Sequence, residues 1–362
     1  MREKMNERVF APVSLTERFL AYIVDIVILL SLSTIISGAT GAEPVIYKIT
    51  MCYIYGHHEI LRELSSQDGL VFIVTYLFLS MTYFYFESYF GTSVGKYLLK
   101  MRTAMVKNVK ENKVLRSLLR ATIKVIPPVA VVDSLFALKR RLKQKLSDRI
   151  LGFIVVKKSD IQAGMVNYFA VGTILYYLPL LTFVLFVYVY HYGNTAPPPA
   201  PGAGTIVKPS ASQFRLIFFN NFSINYHYYI VGGGFTLLFL SCIYAFAGSF
   251  ITGKLLGDSL LTYPSFIVYG VLPHFFLEGF GYVTGIISGI YIAKILLRLV
   301  EGYFEGRNVG YLVSIFLENG KNAIVCGVLS IILLLIAAYV ETYLTSYILN
   351  RYYFSSSLYG VT

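Results

Sequence analysis

Charged residues are scarce in this chain: Asp, Glu, Lys and Arg make up 14% of its 362 residues. A soluble globular protein usually carries about 25%, so the composition argues against a water-soluble enzyme. Cysteine is also scarce, and Cys52, Cys242 and Cys326 show no Cys-x-x-Cys pair or histidine spacing that would indicate a zinc site. The absence of tryptophan, together with only four glutamines and 31 tyrosines, is typical of a thermophilic or archaeal source.

Apolar residues are abundant, at 56% of the total, and the mean hydropathy is +0.64. The 31 Lys and Arg exceed the 19 Asp and Glu, which gives a net charge of +12. These basic residues are concentrated in stretches between apolar runs, as they are on the cytoplasmic side of multi-pass membrane proteins. The sequence therefore predicts an integral membrane protein of the all-α class.

Several segments meet the requirement of about 20 apolar residues for a membrane-crossing helix. Five are clear: about 19–38, 69–90, 164–190, 228–251 and 322–349. Two are ambiguous, because 118–138 contains Lys124, Pro127-Pro128 and Asp133, and 264–294 is long and contains Pro273. We predict a polytopic helical protein with about five to seven transmembrane helices and one or two re-entrant or interfacial hairpins.

The distribution of Lys and Arg predicts the orientation. Residues 91–117 hold seven of them and residues 139–158 hold eight, whereas 39–68 and 191–227 hold two each. Basic loops stay in the cytoplasm, which places the N-terminus inside and the loops 39–68 and 191–227 outside. Both flanks of 118–138 are basic, so we interpret it as a hairpin broken at Pro127-Pro128.

The orientation of the C-terminal part is less constrained. Residues 295–321 alternate apolar and charged side chains and are typical of an amphipathic surface helix. If that helix is cytoplasmic, 264–294 enters and returns as a hairpin and the C-terminus lies outside, which is the interpretation we favour. If 264–294 is a single crossing, the C-terminus lies inside.

Four motifs occur in order in the first 160 residues. They are Arg18 and Asp25 in Arg-Phe-Leu-Ala-Tyr-Ile-Val-Asp, the turn Gly91-Thr-Ser-Val-Gly-Lys96, the Arg120 region, and Ser147-Asp148-Arg149-Ile-Leu-Gly152. On these motifs, residues 1–160 resemble the RDD family, which is named for one arginine and two aspartates. The resemblance implies a membrane domain, although Ser93-Val94 stands where the family usually has Pro-Gly.

The remaining part, residues 161–362, resembles the stage II sporulation protein M family. The matching residues are Phe219-Asn220-Asn221, Gly232-Gly233-Gly234, Leu272-Pro273-His274-Phe-Phe-Leu-Glu278 and Ala337-Ala338-Tyr339-Val340-Glu341. The resemblance implies a second multi-pass domain, so that the chain joins two membrane domains in one unit.

The first group of candidate site residues surrounds Asp25. A carboxylate inside a bilayer costs several kcal/mol unless it is paired, and Arg18, Arg120 and Arg149 are its candidate partners. One hypothesis is an ion-pair network, including Asp148, that docks the basic hairpin onto the first two spans. The other is a cation or proton site formed by Asp25 with Glu87.

The second group lies in the C-terminal half. His274 and Glu278 are four residues apart and share a helical face, and Glu341 lies well inside the last span. They could lock helices together or handle ions or protons, but one His and one carboxylate are too few to predict a metal site. We therefore predict no metal, no cofactor and no catalytic residue.

Glycines and basic stretches suggest contacts of other kinds. Gly281, Gly285 and Gly289 form Gly-x-x-x-Gly steps that favour close helix packing, either within the chain or in a homodimer. The stretches Lys96–Arg116 and Lys139–Lys158 favour contact with anionic lipid headgroups, and we place Lys96 there, after a helix-ending turn at Gly91. With only Tyr97 as an aromatic residue in 96–116, nucleic-acid binding is not expected.

Two functional hypotheses follow, and neither is an enzyme, since no nucleophile with an orienting base is visible. The first is a membrane scaffold or assembly protein of the cell envelope that holds membrane or envelope partner proteins. The alternative is a transporter or ion-coupled exchanger that uses the intramembrane carboxylates of Asp25 and Glu278.

Overall fold

The computed structural model of the chain describes residues 10–40, 45, 66–105, 112–137, 144–158, 164–191, 208–236, 264–354 and separate positions between 241 and 260. Its first part contains β1 Phe10–Pro12, α1 Leu15–Ala39, α2 Ser66–Phe90, α3 Val94–Leu98, β2 Arg102–Met105, α4 Lys113–Val125, α5 Pro127–Leu135, α6 Leu146–Leu151 and β3 Phe153–Lys158. Its second part contains α7 Met165–His191, α8 Ala211–Ile224, α9 Gly232–Phe235, α10 Pro264–Phe266, α11 Leu272–Phe304, α12 Val309–Tyr339 and α13 Ser346–Ile348. The segments Asn225–Val231, Ile267–Val271, Val340–Thr345 and Leu349–Phe354 are π-helical.

Five of the described helices are long and apolar enough to cross a membrane. They span Leu15–Ala39, Gln67–Phe90, Met165–Val187, Ile267–Phe304 and Val309–Arg351. This agrees with the prediction of a helical polytopic membrane protein and with the predicted spans near 19–38, 69–90, 164–190 and 322–349. Some hydroxyls inside α1 are satisfied within the helix: the Ser33 hydroxyl donates to the Leu29 carbonyl at 2.7 Å.

The helical prediction omitted one small sheet. β3 pairs antiparallel with both β1 and β2, in the order β1-β3-β2, and Val156 lies opposite both Pro12 and Arg102. Three β3 side chains, Phe153, Val155 and Val156, are buried. The sheet thus connects the entry of α1 with the segments that follow α2 and α6.

The break predicted within 118–138 is confirmed at Ile126, between α4 and α5. Pro127 begins α5, where its missing N–H costs no hydrogen bond. Helix α4 is inverted relative to a helix of a soluble protein, since it buries Ser117, Arg120 and Lys124 and exposes apolar residues such as Leu115 and Leu119. This arrangement suits a helix whose outer face contacts lipid.

The hairpin predicted for 264–294 is wrong, because α11 runs without interruption to Phe304. Pro273 lies in the first turn of α11, where proline is tolerated instead of breaking the helix. The amphipathic surface helix predicted for 295–321 is also wrong. A turn with Gly306 at φ +66° joins α11 to α12, and the Asn308 side chain caps α12 by accepting from the Tyr311 N–H at 2.9 Å.

The predicted span 228–251 also needs correction. The helical stretch begins at Ala211 and continues through the π-helical Asn225–Val231 to Phe235, so it starts inside the predicted loop 191–227. Most of 237–263 lies outside the described residues, as do the Pro-rich residues 194–207.

The main core joins both parts of the chain. Val24 and Val27 of α1 belong to the same buried cluster as Val171 of α7 and Ile286 and Ile290 of α11. A second, smaller cluster packs Tyr22 and Leu29 of α1 against Phe84 of α2 and Ala121 of α4. The predicted boundary near residue 160 falls outside the described residues, and the division into domains at that point stays a prediction.

Candidate functional site

Glu87, near the C-terminal end of α2, is surrounded by cations. Arg120 Nη1 donates to both carboxylate oxygens, at 3.0 and 2.8 Å, and Lys124 Nζ donates to Oε2 at 2.6 Å. Lys96 Nζ also donates to Glu87, and the Thr103 hydroxyl donates at 2.9 Å. The Glu87 side chain is 1% exposed, so this carboxylate is fully buried and fully paired.

Arg120 and Arg18 extend the network to Asp148 on α6. Arg120 Nε donates to Asp148 at 2.6 Å, and Arg18 Nη1 lies 3.9 Å from the same carboxylate. Arg18 Nη2 donates to the Val155 carbonyl of β3 at 3.1 Å. Burial acts against both charges, but Arg120 holds the pKa of Asp148 well below its usual range, and Asp148 and Glu87 raise the pKa of Arg120. We call Arg18, Glu87, Lys96, Arg120, Lys124 and Asp148 the Glu87 cluster.

Asp25 takes no ion-pair partner among the described residues. Its carboxylate accepts from the Tyr83 hydroxyl at 2.7 Å, the Ser93 hydroxyl at 2.7 Å and the Gly95 N–H at 2.9 Å. The expected pairing of Asp25 with an arginine is therefore wrong. The loop after α2 occupies the face of α1 that carries Asp25, and it supplies neutral donors.

The three arginines proposed as its partners lie elsewhere. Arg18 and Arg120 pair with Asp148, and Arg149 is exposed outside the Glu87 cluster. Asp25 thus meets residues of its own part of the chain.

The turn at Gly91 follows the prediction, but the position of Lys96 does not. Gly91 ends α2 at φ +86°, a conformation that favours glycine, and Ser93 caps α3 by accepting from the Lys96 N–H. Added side-chain volume at Gly95 would collide with the Ala21 carbonyl of α1. This close approach draws Lys96 into the Glu87 cluster, at 6% exposure, and not to the lipid headgroups.

Burial also changes the acidity of the lysines here. It lowers the pKa of Lys96 to about 7 despite the opposing effect of Glu87, and it lowers the pKa of Lys145 to about 8. The prediction that Lys96–Arg116 and Lys139–Lys158 contact headgroups is therefore wrong for Lys96 and Lys145. Residues 106–111 and 138–143 of these stretches lie outside the described residues.

A small cavity of about 20 Å³ adjoins the Glu87 cluster. Its charged lining residues are Arg18, Asp25, Lys96, Arg120, Lys124 and Lys145. This volume holds about one water molecule, so the cluster is a closed core and not an open channel.

A second polar group, which we call the His274 cluster, consists of His274, Glu278 and Glu341. One potential metal-ligand atom from each side chain lies within 4.8 Å of the other two. His274 and Glu278 are one turn apart at the start of α11, and Glu341 lies in the π-helical Val340–Thr345. All three are partly buried, and His274 Nδ1 lies 3.4 Å from the Thr345 hydroxyl.

Among the described residues, those around the His274 cluster are aromatic and uncharged. The Tyr282 hydroxyl lies near the Glu278 carboxylate, and the Tyr282 ring packs against Tyr176 at 5.3 Å and Tyr229 at 5.6 Å between centroids. In the part of the chain that the structure describes, no Lys or Arg pairs with Glu278 or Glu341. The two carboxylates therefore differ in kind from Glu87.

The three glycines of α11 pack inside the chain. A side chain at Gly281 would collide with Leu334 of α12, one at Gly285 with Asn225, and one at Gly289 with the Tyr229 carbonyl. Internal packing, one of the two predicted roles, is what the structure shows, whereas the homodimer stays a prediction.

The sequence did not predict most of the hydrogen-bond and ion-pair partners of Asp25 and Glu87. Lys124, Thr103, Tyr83 and Ser93 were not assigned to a site, and Lys96 was placed at the surface. The signal available in the sequence was Lys124, a charged residue inside an apolar segment. It follows Arg120 by four residues, so the two side chains lie on the same buried face of α4.

Comparisons with known proteins assign the first part of the chain. Residues 12–152 match the RDD family. No curated protein and no solved structure matches the chain. The comparisons give no evidence for the stage II sporulation protein M resemblance of residues 161–362, which stays a prediction.

Proposed function

We propose that this protein, whose residues 12–152 form an RDD family membrane domain, is an ion-coupled membrane transporter with its cation site at the His274 cluster. The observation that carries this proposal is the pair Glu278 and Glu341, which lie close together on candidate spanning helices without a basic partner among the described residues. Carboxylates that are partly buried in membrane-spanning helices without a basic partner need a proton or a cation. Exchange between these two occupants is the basis of coupled transport.

The position of the cluster along the helices supports this proposal. Nineteen uncharged residues separate Lys321 from Glu341 in α12 and the π-helical turn after it, which is about 30 Å of helix and one hydrocarbon thickness. In this arrangement Glu341 lies near the membrane surface opposite the charged turn around Gly306, and so nearer to water than the sequence-based prediction of a position well inside the span. Ions in water on that side have the shortest path to the site.

The Glu87 cluster supports a different role for the first part of the chain. Glu87 of α2 and Asp148 of α6 are paired with cations from α1, α4 and the segment after α2. The cluster therefore docks α4, α6 and that segment onto the first two spans, α1 and α2. Asp25 is satisfied by three neutral donors. In this proposal Glu278 is a transport residue and Asp25 is not.

Flux into proteoliposomes tests the proposal. We expect Glu278→Gln and Glu341→Gln each to reduce cation or proton flux at least tenfold, while the protein still elutes as a folded species from detergent. Glu318→Gln is the matched control, since Glu318 is an exposed acid on α12. Full flux in both neutralised variants would reject transport through this site.

The scaffold function remains a second candidate, favoured by an apolar groove of about 820 Å³. It is lined by α11, α12 and the helical stretch around Tyr226, with residues such as Ile292, Phe316 and Ile324. Its apolar lining suits a transmembrane helix of a membrane or envelope partner protein. In this candidate the chain binds that partner without moving ions.

Filling the groove tests the scaffold candidate. Gly320 and Gly327 line it, and among the described residues the nearest atom to an added methyl group would be 4.0 Å and 3.4 Å away, respectively. Gly320→Leu and Gly327→Leu should therefore fold and yet lose any protein that co-purifies stoichiometrically from native membranes. Purification without a partner from those membranes would reject the scaffold function.

A further inference from the structure

We propose that the His274 cluster binds a divalent transition-metal ion of the zinc or manganese class, through one imidazole nitrogen and one oxygen from each of Glu278 and Glu341. This inference rests on the proposed function, because it names the cation of that site. It also reverses the sequence-based expectation of no metal, which considered one His and one carboxylate. The third ligand, Glu341, lies 63 residues after Glu278 in the chain.

The donor set favours this class of ion. Imidazole nitrogen suits zinc and other first-row transition metals, whereas magnesium and calcium prefer an all-oxygen set. Glu278 and Glu341 lie next to His274 and have no basic partner among the described residues. Together they carry a charge of up to −2, which a divalent ion neutralises. A monovalent ion or a single proton would leave part of that charge uncompensated.

The distances between the three ligand atoms are slightly longer than in an occupied zinc site, so the side chains would move closer together when an ion binds. Zinc bonds to nitrogen and oxygen are about 2.0–2.2 Å long, which places tetrahedral ligands about 3.4 Å apart. The three ligand atoms lie within 4.8 Å of one another, so they need to approach by at most about 1.4 Å to reach tetrahedral zinc geometry. Side-chain rotation can supply this movement, because none of the three residues is fully buried.

The backbone around the cluster is distorted where the ligands lie. Glu341 is part of the π-helical Val340–Thr345, and the π-helical Ile267–Val271 ends three residues before His274. Such π-helical turns are frequent at functional sites. The one in Val340–Thr345 carries both Glu341 and Thr345, whose hydroxyl lies next to His274 Nδ1.

Three protein ligands leave at least one coordination position open. Closed sites with four protein ligands hold structural zinc, whereas three-ligand sites keep a position for water or substrate. Three protein ligands also hold an ion less tightly than four, so the ion exchanges more readily. The site therefore fits a metal ion that is transported or sensed better than one that only stabilises the fold.

Binding of Zn²⁺ to the purified full-length protein in detergent tests the inference without any flux assay. Competition with a chromophoric chelator should show one site per chain at pH 7, and Co²⁺ should give the visible absorption of a four-coordinate ion with mixed nitrogen and oxygen ligands. His274→Gln, Glu278→Gln and Glu341→Gln should each weaken Zn²⁺ binding at least tenfold. His227→Gln is the control, because His227 is exposed and, among the described residues, its hydrogen bonds go to Ser223 in its own helical turn.

The possible results separate this inference from the proposed function. Zn²⁺ binding that is lost in the three variants, without any flux, would support the metal site and reject transport. Proton or monovalent cation flux that depends on Glu278, without Zn²⁺ or Co²⁺ binding, would support transport and overturn the metal site. Binding that is unchanged in His274→Gln would also overturn it.

Discussion

The backbone N–H of Leu15 donates a hydrogen bond to Glu301 Oε1 at 3.0 Å, although the two residues are 286 positions apart. Leu15 is the first residue of α1, whose N–H groups have no partner within the helix. Glu301 lies near the end of α11, so the second part of the chain caps the first span of the RDD domain. The two parts are therefore joined by a specific polar contact as well as by their common core.

Removal of this cap should lower stability. We expect Glu301→Leu to destabilise the protein by about 1–2 kcal/mol, because a buried N–H loses its acceptor. Glu301→Gln retains an acceptor oxygen and should lose less than half as much. Thermal unfolding in detergent measures both, and equal stability of Glu301→Leu and the original protein would show that the bond contributes nothing.

The Glu87 cluster should be highly sensitive to loss of Arg120. Arg120→Ala leaves Glu87 and Asp148 buried with fewer partners, a change that typically costs about 3–5 kcal/mol. We expect little folded protein in size-exclusion chromatography after detergent extraction. Arg149→Ala, next to Asp148 in the chain but exposed, should behave like the original protein, and equal effects of the two substitutions would contradict this account.

Neutralising Asp25 should affect the fold and leave transport intact. Tyr83 and Gly95 donate to one carboxylate oxygen of Asp25 and Ser93 donates to the other. Asparagine keeps only one accepting oxygen, so at least one of these donors loses its acceptor and Asp25→Asn should lose about 1–3 kcal/mol of stability. Zn²⁺ affinity and flux per folded molecule should not change. A selective loss of flux in a variant of normal stability would instead assign a transport role to Asp25.

The buried ammonium group of Lys145 should make the stability of the protein depend on pH. Burial lowers the pKa of its ammonium group to about 8, below the value of about 10.4 in an unfolded chain. Between these two values the unfolded state binds more protons, so stability should rise as the pH increases from 8 to 10.

Lys145→Met should remove part of that rise. It should also stabilise the protein at pH 7 by on the order of 2 kcal/mol, because the cost of burying the charged ammonium group disappears. Unfolding curves at pH 7, 8.5 and 10 measure the difference. A parallel pH dependence of the two proteins would contradict the assignment.

Gly289 should tolerate no side chain. Because a methyl group there would collide with the Tyr229 carbonyl, Gly289→Ala should cost about 1–3 kcal/mol. Gly320→Ala, where the nearest atom would be 4.0 Å away, should be neutral. If Gly289→Ala kept full stability and changed only the oligomeric state in detergent, the glycines would belong to a dimer interface.

The sequence by itself determined the membrane class and four of the spans, because a bilayer imposes a minimum length of uncharged helix that can be counted. It also determined the RDD domain and the break before Pro127, since each depends on local residue order. The ends of helices were harder to predict from the sequence. Pro273 suggested an interruption, yet it lies in the first turn of α11.

Only the tertiary structure decided the partners of the buried charges. The spacing of Arg18 and Asp25 places them on one face of a helix, but it does not say which other segment packs there. The close approach of Gly95 to α1 put neutral donors on Asp25 and drew Lys96 to Glu87. In the same way, packing of α11 against the helical stretch that begins at α12 brought Glu341 to His274 and Glu278. Contacts between distant segments depend on how whole helices pack, and a single sequence does not encode that in any local pattern.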